Sequence, residues 1–96
     1  MTNLQIAGVF KEIADMLGLK GEDWFKIRAY LKVVQSIEKL EEPVEKMANE
    51  KRLREIPGVG DTIEKKIYEL LATGKIAAHE NLKTEFPDYK GGVSGG

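Results

Sequence analysis

Leu53-Arg-Glu-Ile-Pro-Gly-Val-Gly-Asp-Thr-Ile63 is the stretch whose reading decides the fold. Pro57 fixes its own φ and lacks an N–H, so a helix arriving from the N-terminal side must end there. Gly58 and Gly60 are free to take positive φ and carry no Cβ, which allows both a tight reversal and a close approach by a ligand. The next helix begins at once, and its first amides have no intrahelical partner. Free N–H groups at the positive end of a helix dipole attract anions. Val59, between the two glycines, plugs the turn into the core, and Leu53, Ile56, Ile63 and Ile67 hold the two helices together. An ordinary helix–helix turn would use the same Pro and Gly. The apolar spacing, with Arg54 ahead of the turn, favours the more specific reading, a helix-hairpin-helix element.

Such an element offers backbone amides at Gly58, Val59, Gly60, Asp61 and Thr62 to a phosphate. Amides cannot distinguish bases, so binding of this kind is sequence-tolerant and salt-sensitive. Asp61 suits a first helical turn. It would repel a phosphate lying on the same side.

Outward from the hairpin, everything reads as helix. Ile6, Val9, Phe10, Ile13, Ala14 and Leu17 recur at spacings of three and four, predicting an amphipathic helix over 3–17. Thr2 or Asn3 is its expected cap, and Gly18 with Gly21 its stop. A second helix is expected over 22–40, with Phe25, Ala29, Val33, Ile37 and Leu40 inward. Pro43 opens a short helix over 44–49. Two more flank the hairpin, over 51–56 and 60–73, the latter stopped by Gly74. A last one is expected over 76–85, before Pro87. The fold class is all-α, a small bundle of four to six helices containing one helix-hairpin-helix motif. The domain is expected over 1–87, with 88–96 a flexible Gly-rich tail.

The 96 residues suit one domain with a small core. That size favours a binding module, or a catalytic part that works beside other domains. With no cysteine and one histidine, thiolate and histidine-rich metal sites are excluded, as are Cys nucleophiles. No run approaches the ~20 apolar residues of a membrane helix, so no membrane partner is expected and the default location is the cytoplasm, with the nucleoid. The net charge is −1, yet its distribution is uneven. Residues 26–54 hold eight Lys/Arg against five acids, while the flanking segments are acidic. This basic third comprises Lys26, Arg28, Lys32, Lys39, Lys46, Lys51, Arg52 and Arg54. It reads either as solvated helix faces or as a backbone-binding surface. Lys26 and Arg28 on the second helix and Arg54 ahead of the hairpin are candidate phosphate contacts; Trp24 and Tyr30 either stack on a base or pack in the core or its rim.

Three segments carry a resemblance: 6–15 (IAGVFKEIAD), 20–30 (KGEDWFKIRAY) and 54–60 (REIPGVG), with 70–75 (LLATGK) closing the second hairpin helix. Together they resemble the N-terminal domain of bacterial and archaeal family X DNA polymerases, the DNA polymerase beta-like repair enzymes, over about residues 4–87. The resemblance implies binding to the 5′-phosphate side of gapped or nicked DNA. Further polymerase domains would lie elsewhere in a parent chain, because the palm with its metal-binding aspartates is not in these residues. The resemblance places the lyase lysine of the family on Lys66 and its phosphate-contacting lysine on Lys26; Tyr30 is the tyrosine of the same motif. It also implies a monovalent cation, Na+ or K+, on the main-chain carbonyls of Arg54, Ile56 and Val59, and no organic cofactor. Thr62 and Phe25 depart from the pattern, standing where the animal enzymes carry basic residues.

Lys66 can also be weighed by itself. Schiff-base chemistry requires a neutral amine, whereas a free lysine with a pKa of about 10.4 is charged at neutral pH. At 100° per residue, Lys66 lies about 85° from the centre of the Ile63–Ile67–Leu70–Leu71 stripe, and Lys65 points away from it. Lys66 thus sits at the edge of the buried face, as a lyase nucleophile, a phosphate contact or a solvated lysine; Lys65 is a phosphate contact at most. Three functions follow: a sequence-independent module that binds gapped, nicked or single-stranded DNA, a 5′-deoxyribose-phosphate lyase using Lys66, and a protein-interaction domain with a vestigial hairpin.

Overall fold

The computed structural model describes residues 1–90. It is all-helical there, with five α-helices and one 3-10 turn: α1 (Asn3–Lys20), α2 (Trp24–Glu38), α3 (Val44–Asn49), the turn Leu53–Glu55, α4 (Asp61–Thr73) and α5 (Ala77–Glu85). α1 lies at the centre, packed against α2 and α5. Phe10, Ile6, Ile13 and Met16 of α1 are fully buried, and meet Val33 and Ile37 from α2, Leu53 and Ile56 from the hairpin, and Ile67 and Leu70 from α4 in one core.

Local chemistry sets the helix ends. Thr2 caps α1 in a capping box, its hydroxyl accepting from the Gln5 amide while the Gln5 side chain accepts from the Thr2 amide. Asn3 acts elsewhere: its Oδ1 accepts from the Val44 amide and its Nδ2 donates to the Glu42 carbonyl, both at 2.8 Å, so that it caps α3 from across the fold. α1 runs past Gly18 to Lys20 and ends at Gly21 with φ +80°, because the positive-φ stop falls on the second glycine only. Asp23 caps α2 by accepting from the Phe25 amide.

Four expectations need correction. Phe25 and Ala29 are not inward: α2 buries Ile27, Tyr30, Val33, Val34 and Ile37, which rotates its core face and leaves Phe25 79 % exposed. The expected 51–56 helix is only a 3-10 turn. Lys51 takes φ 58° after α3, and Pro57 follows too soon for an α-helical turn to form. α4 begins at Asp61, with Gly60 as its cap position. The folded part also extends beyond 87: the Tyr89 hydroxyl donates to Asp15 Oδ2 at 2.8 Å and its ring packs on the core. The remainder of the expected tail, 91–96, lies outside the described residues. Among the described residues, no helix is long and apolar enough to cross a membrane.

Candidate nucleic-acid interface

The hairpin is built from two glycines with different conformations. Gly58 has φ +92°, the left-handed region that disfavours any side chain, and a Cβ there would meet Lys32 Cγ of α2 at 3.1 Å. Gly60 is extended, with φ −111° and ψ −163°, and a Cβ there would meet nothing within 4 Å. The expectation that both glycines serve positive φ therefore holds for Gly58 alone. Gly58 lets the hairpin lie against α2; Gly60 leaves open space in front of α4. Val59 is buried, as are Ile56 and Ile63, which pin the reversal to the core. The turn closes through the Val59 amide donating to the Ile56 carbonyl at 3.0 Å.

No side chain caps α4, so its first-turn amides are left to solvent or a ligand. Acids crowd the same turn. Arg54 is ion-paired with Asp61, and its Nε lies 3.3 Å from Glu64 Oε1. The guanidinium expected to meet a phosphate is already held by two carboxylates. Thr62 and Lys65 are exposed, and Lys66 is half-buried on the flank of α4, with no carboxylate within 4 Å among the described residues.

The basic third divides into two groups. Arg52 bonds to Glu42, Glu50 and Glu55, and Lys46 to Glu42 at 2.9 Å, a cluster that ties α3 to the 3-10 turn. Hydrogen bonds from Arg52 and then Lys46 hold the Glu42 carboxyl down at about 2; in return, the hydrogen bond to Glu42 raises Lys46, and those to Glu42, Glu55 and Glu50 raise Arg52. These cations are structural. Lys26 lies 4.0 Å from Glu22. Arg28, Lys32 and Lys39 are exposed, and among the described residues none of them has a carboxylate within 4 Å.

Tyr30, a candidate contact, is 5 % exposed, and its ring stacks on Phe10 with centroids 6.1 Å apart. Burial raises its hydroxyl pKa. Its ring is part of the core and cannot stack on a base in the folded chain. Trp24, the alternative, is 60 % exposed. Sequence reasoning missed Phe25 as a surface group beside the hairpin. A periodicity count centred on Ile27, Tyr30, Val34 and Ile37 would have turned it outward.

A small helical bundle that presents a two-glycine hairpin beside a basic helix is a helix-hairpin-helix module. The chain matches the family model of the helix-hairpin-helix domain over residues 1–76 and belongs to that family. No curated protein matches it significantly. The family match stops short of α5, which is fastened back onto α1 by His79 Nε2 and Glu12 Oε1 at 2.8 Å.

Proposed function

We propose that this domain binds DNA through backbone phosphates without reading sequence, with the hairpin amides and the outer face of α2 forming one surface. The observation that carries this reading is the close approach of Gly58 to Lys32, where a Cβ would stand 3.1 Å from Lys32 Cγ. Gly58 lies three residues before the uncapped start of α4, and Lys32 is one of the α2 cations without a carboxylate partner among the described residues. Membership of the helix-hairpin-helix family supports it, since these domains bind DNA generally. Amide and cation contacts of this kind position a backbone and carry no base information.

The narrower reading is that the bound structure is a gap or nick with a 5′-phosphate, as in the N-terminal domains of family X polymerases. The three resembling segments support it. The test is fluorescence anisotropy with two gapped duplexes that differ only in the 5′-phosphate, and with duplexes of unrelated sequence. Tighter binding of the phosphorylated gap is expected, together with affinities that agree across sequences and fall with salt. Equal affinity for the two gaps removes the 5′-phosphate reading and leaves general backbone binding. No salt-dependent binding at low ionic strength overturns both readings and favours a protein-interaction domain.

Lys66 supports a second reading, lyase chemistry, because it is half-buried and has no carboxylate partner. A borohydride-trapped adduct with a 5′-deoxyribose-phosphate substrate, lost in Lys66→Ala, would support it; the absence of an adduct in the unmutated protein would remove it. A Na+ or K+ ion on the carbonyls of Arg54, Ile56 and Val59 belongs to the same proposal. The Ile56 carbonyl already accepts one hydrogen bond, from Val59, and has its second lone pair to offer.

A further inference from the structure

Phe86 precedes Pro87 and is pushed out of the helical region, to φ −126° and ψ 68°, so α5 stops at Glu85. The chain then reverses. The Tyr89 amide donates to the Phe86 carbonyl at 3.0 Å, closing a tight turn with Pro87 and Asp88 at its two central positions. The Tyr89 hydroxyl ties this turn to α1 through Asp15, and the Phe86 and Tyr89 side chains pack on the core. Between the turn and the end of α1 lies a cleft of about 330 Å³, lined by Leu19, Glu85, Phe86, Pro87, Asp88 and Tyr89. Leu19 is 61 % exposed on the last turn of α1, so it adds nothing to the core. The acids of the cleft are poorly matched. Asp88 has no cation within 4 Å among the described residues, and Glu85 meets only Lys20, at 3.4 Å between two half-exposed side chains. A bridge of that kind contributes little. No lysine or arginine lines the cleft.

We propose that this cleft docks a segment of a partner protein through an arginine. Its guanidinium would pair with Asp88 and Glu85 and lie against the aromatic rings, and an apolar neighbour would cover Leu19 and Pro87. Charge complementarity carries the inference: two under-matched carboxylates stand among rings and hydrocarbon. A guanidinium is planar, stacks on aromatic faces and meets a carboxylate with two parallel N–H groups, whereas an ammonium is a compact, strongly hydrated point charge. A divalent cation would find two carboxylates where it takes six or more oxygen ligands. A phosphate would be repelled, so the cleft lies outside the DNA-binding surface, and the inference stands whether or not the hairpin holds DNA.

The test is an NMR titration of the full, isotope-labelled chain with an end-blocked Gly-Leu-Arg-Leu-Gly peptide, and with the same peptide carrying citrulline or lysine in place of arginine. Citrulline keeps the shape and loses the charge; lysine keeps the charge and loses the plane. Arginine is expected to bind about 10-fold more tightly than citrulline and about 3-fold more tightly than lysine, with shifts centred on Leu19 and residues 85–89. Asp88→Asn should remove most of the advantage of arginine over citrulline, and Leu19→Ser should weaken all three peptides about 5-fold. Glu38→Gln removes the same charge from an exposed position at the end of α2 and should change nothing. All three side chains are exposed, so the variants should fold, and circular dichroism checks this. Equal affinity for the arginine and citrulline peptides overturns the proposal, as does an equal loss in Glu38→Gln and Asp88→Asn. Free arginine amide binding as tightly as the peptide overturns the docked segment. Self-association of the chain that Asp88→Asn abolishes replaces the partner protein by a second copy and overturns the proposal too. Gapped DNA that displaces the peptide overturns the cleft, whereas peptide binding without any DNA binding supports the cleft and overturns the backbone-binding reading alone.

Discussion

Arg54, at the entrance to the hairpin, sits between the carboxylates of Asp61 and Glu64, whereas Arg28, Lys32 and Lys39 on the outer face of α2 have no carboxylate within 4 Å among the described residues. Both sets belong to one basic third of the sequence and lie on either side of the same glycine turn. A cation already matched by a carboxylate has less to gain from a phosphate, because the exchange replaces one ion pair by another. An unmatched cation gives up only water and counterions. The hairpin therefore contributes amides and shape, and α2 contributes charge. Counting Lys and Arg along the chain hides this difference, since the count is blind to which acids the fold brings alongside.

The strongest way to break this comparison is to neutralise each side in turn. Arg28→Gln combined with Lys32→Gln should lower DNA affinity roughly 10–100-fold and reduce the slope of log K against log salt by about 2. Arg54→Gln should change the slope by less than about 1. Salt titrations by anisotropy measure both. Equal losses would show that Asp61 and Glu64 release Arg54 on binding and that the two sides are alike.

The two glycines sharpen the same contrast at the level of the backbone. Gly58→Ala forces a Cβ into positive φ, 3.1 Å from Lys32 Cγ, and should cost about 1–2 kcal/mol of stability, visible as a melting temperature lowered by roughly 4–15 °C. Gly60→Ala has extended φ and open space, so the melting temperature should barely move. The methyl group would nevertheless stand where a phosphate approaches the α4 amides, and affinity should fall about 10-fold. A Gly60→Ala protein that binds normally would place the phosphate elsewhere.

Arg52 supplies a third kind of cation, one that serves the fold. The Glu42 carboxyl is depressed from 4.5 to about 2, chiefly by the Arg52 hydrogen bonds. A depressed carboxyl stabilises the folded state above its unfolded pKa, and that contribution disappears as pH falls from about 4.5 towards about 2. Arg52→Met should therefore raise the pH of acid unfolding and weaken the pH dependence of the melting temperature in that window. DNA affinity at neutral pH should change less than about 3-fold, as expected of a cation already held by the carboxylates of Glu42, Glu50 and Glu55. A larger loss would move Arg52 into the binding surface.

Much of this was legible beforehand. The Pro57–Gly60 turn, the α1 stripe and the all-helical class follow from residue chemistry that acts within a few positions. The rotation of α2 was not legible, because Phe25, Ala29, Val33 and Ile37 also form a helical stripe, and only packing against Phe10 selects the face that contains Tyr30. Of the two readings left open for Tyr30, stacking on a base or packing, the same contact selects packing. Asn3 could not be assigned to α3 from the sequence, since its bonds to Glu42 and Val44 join positions about forty residues apart. The neutralisation of Arg54 depends on Asp61 and Glu64 folding back across the turn. In the sequence, Asp61 could be read only as a helix-start acid with an undetermined direction.

That undetermined direction leads to the smallest effect. Asp61 is highly exposed, pairs with Arg54, and stands in the first turn of α4. Asp61→Asn removes an acid from the positive end of the helix dipole, at a cost of about 0.3–1 kcal/mol, and the melting temperature should fall by a few degrees. The same change removes a negative charge beside the α4 amides and loosens one of the two carboxylate contacts of Arg54. DNA affinity should consequently rise, by roughly 2–5-fold at low salt and less as screening increases. The gain is limited because Glu64 keeps its 3.3 Å contact with the guanidinium. Stability down and affinity up in one variant is a combination that general unfolding cannot produce. Should affinity stay constant while stability falls, the Asp61 carboxylate would be directed away from the phosphate, and its pairing with Arg54 would belong with the structural cluster around Arg52.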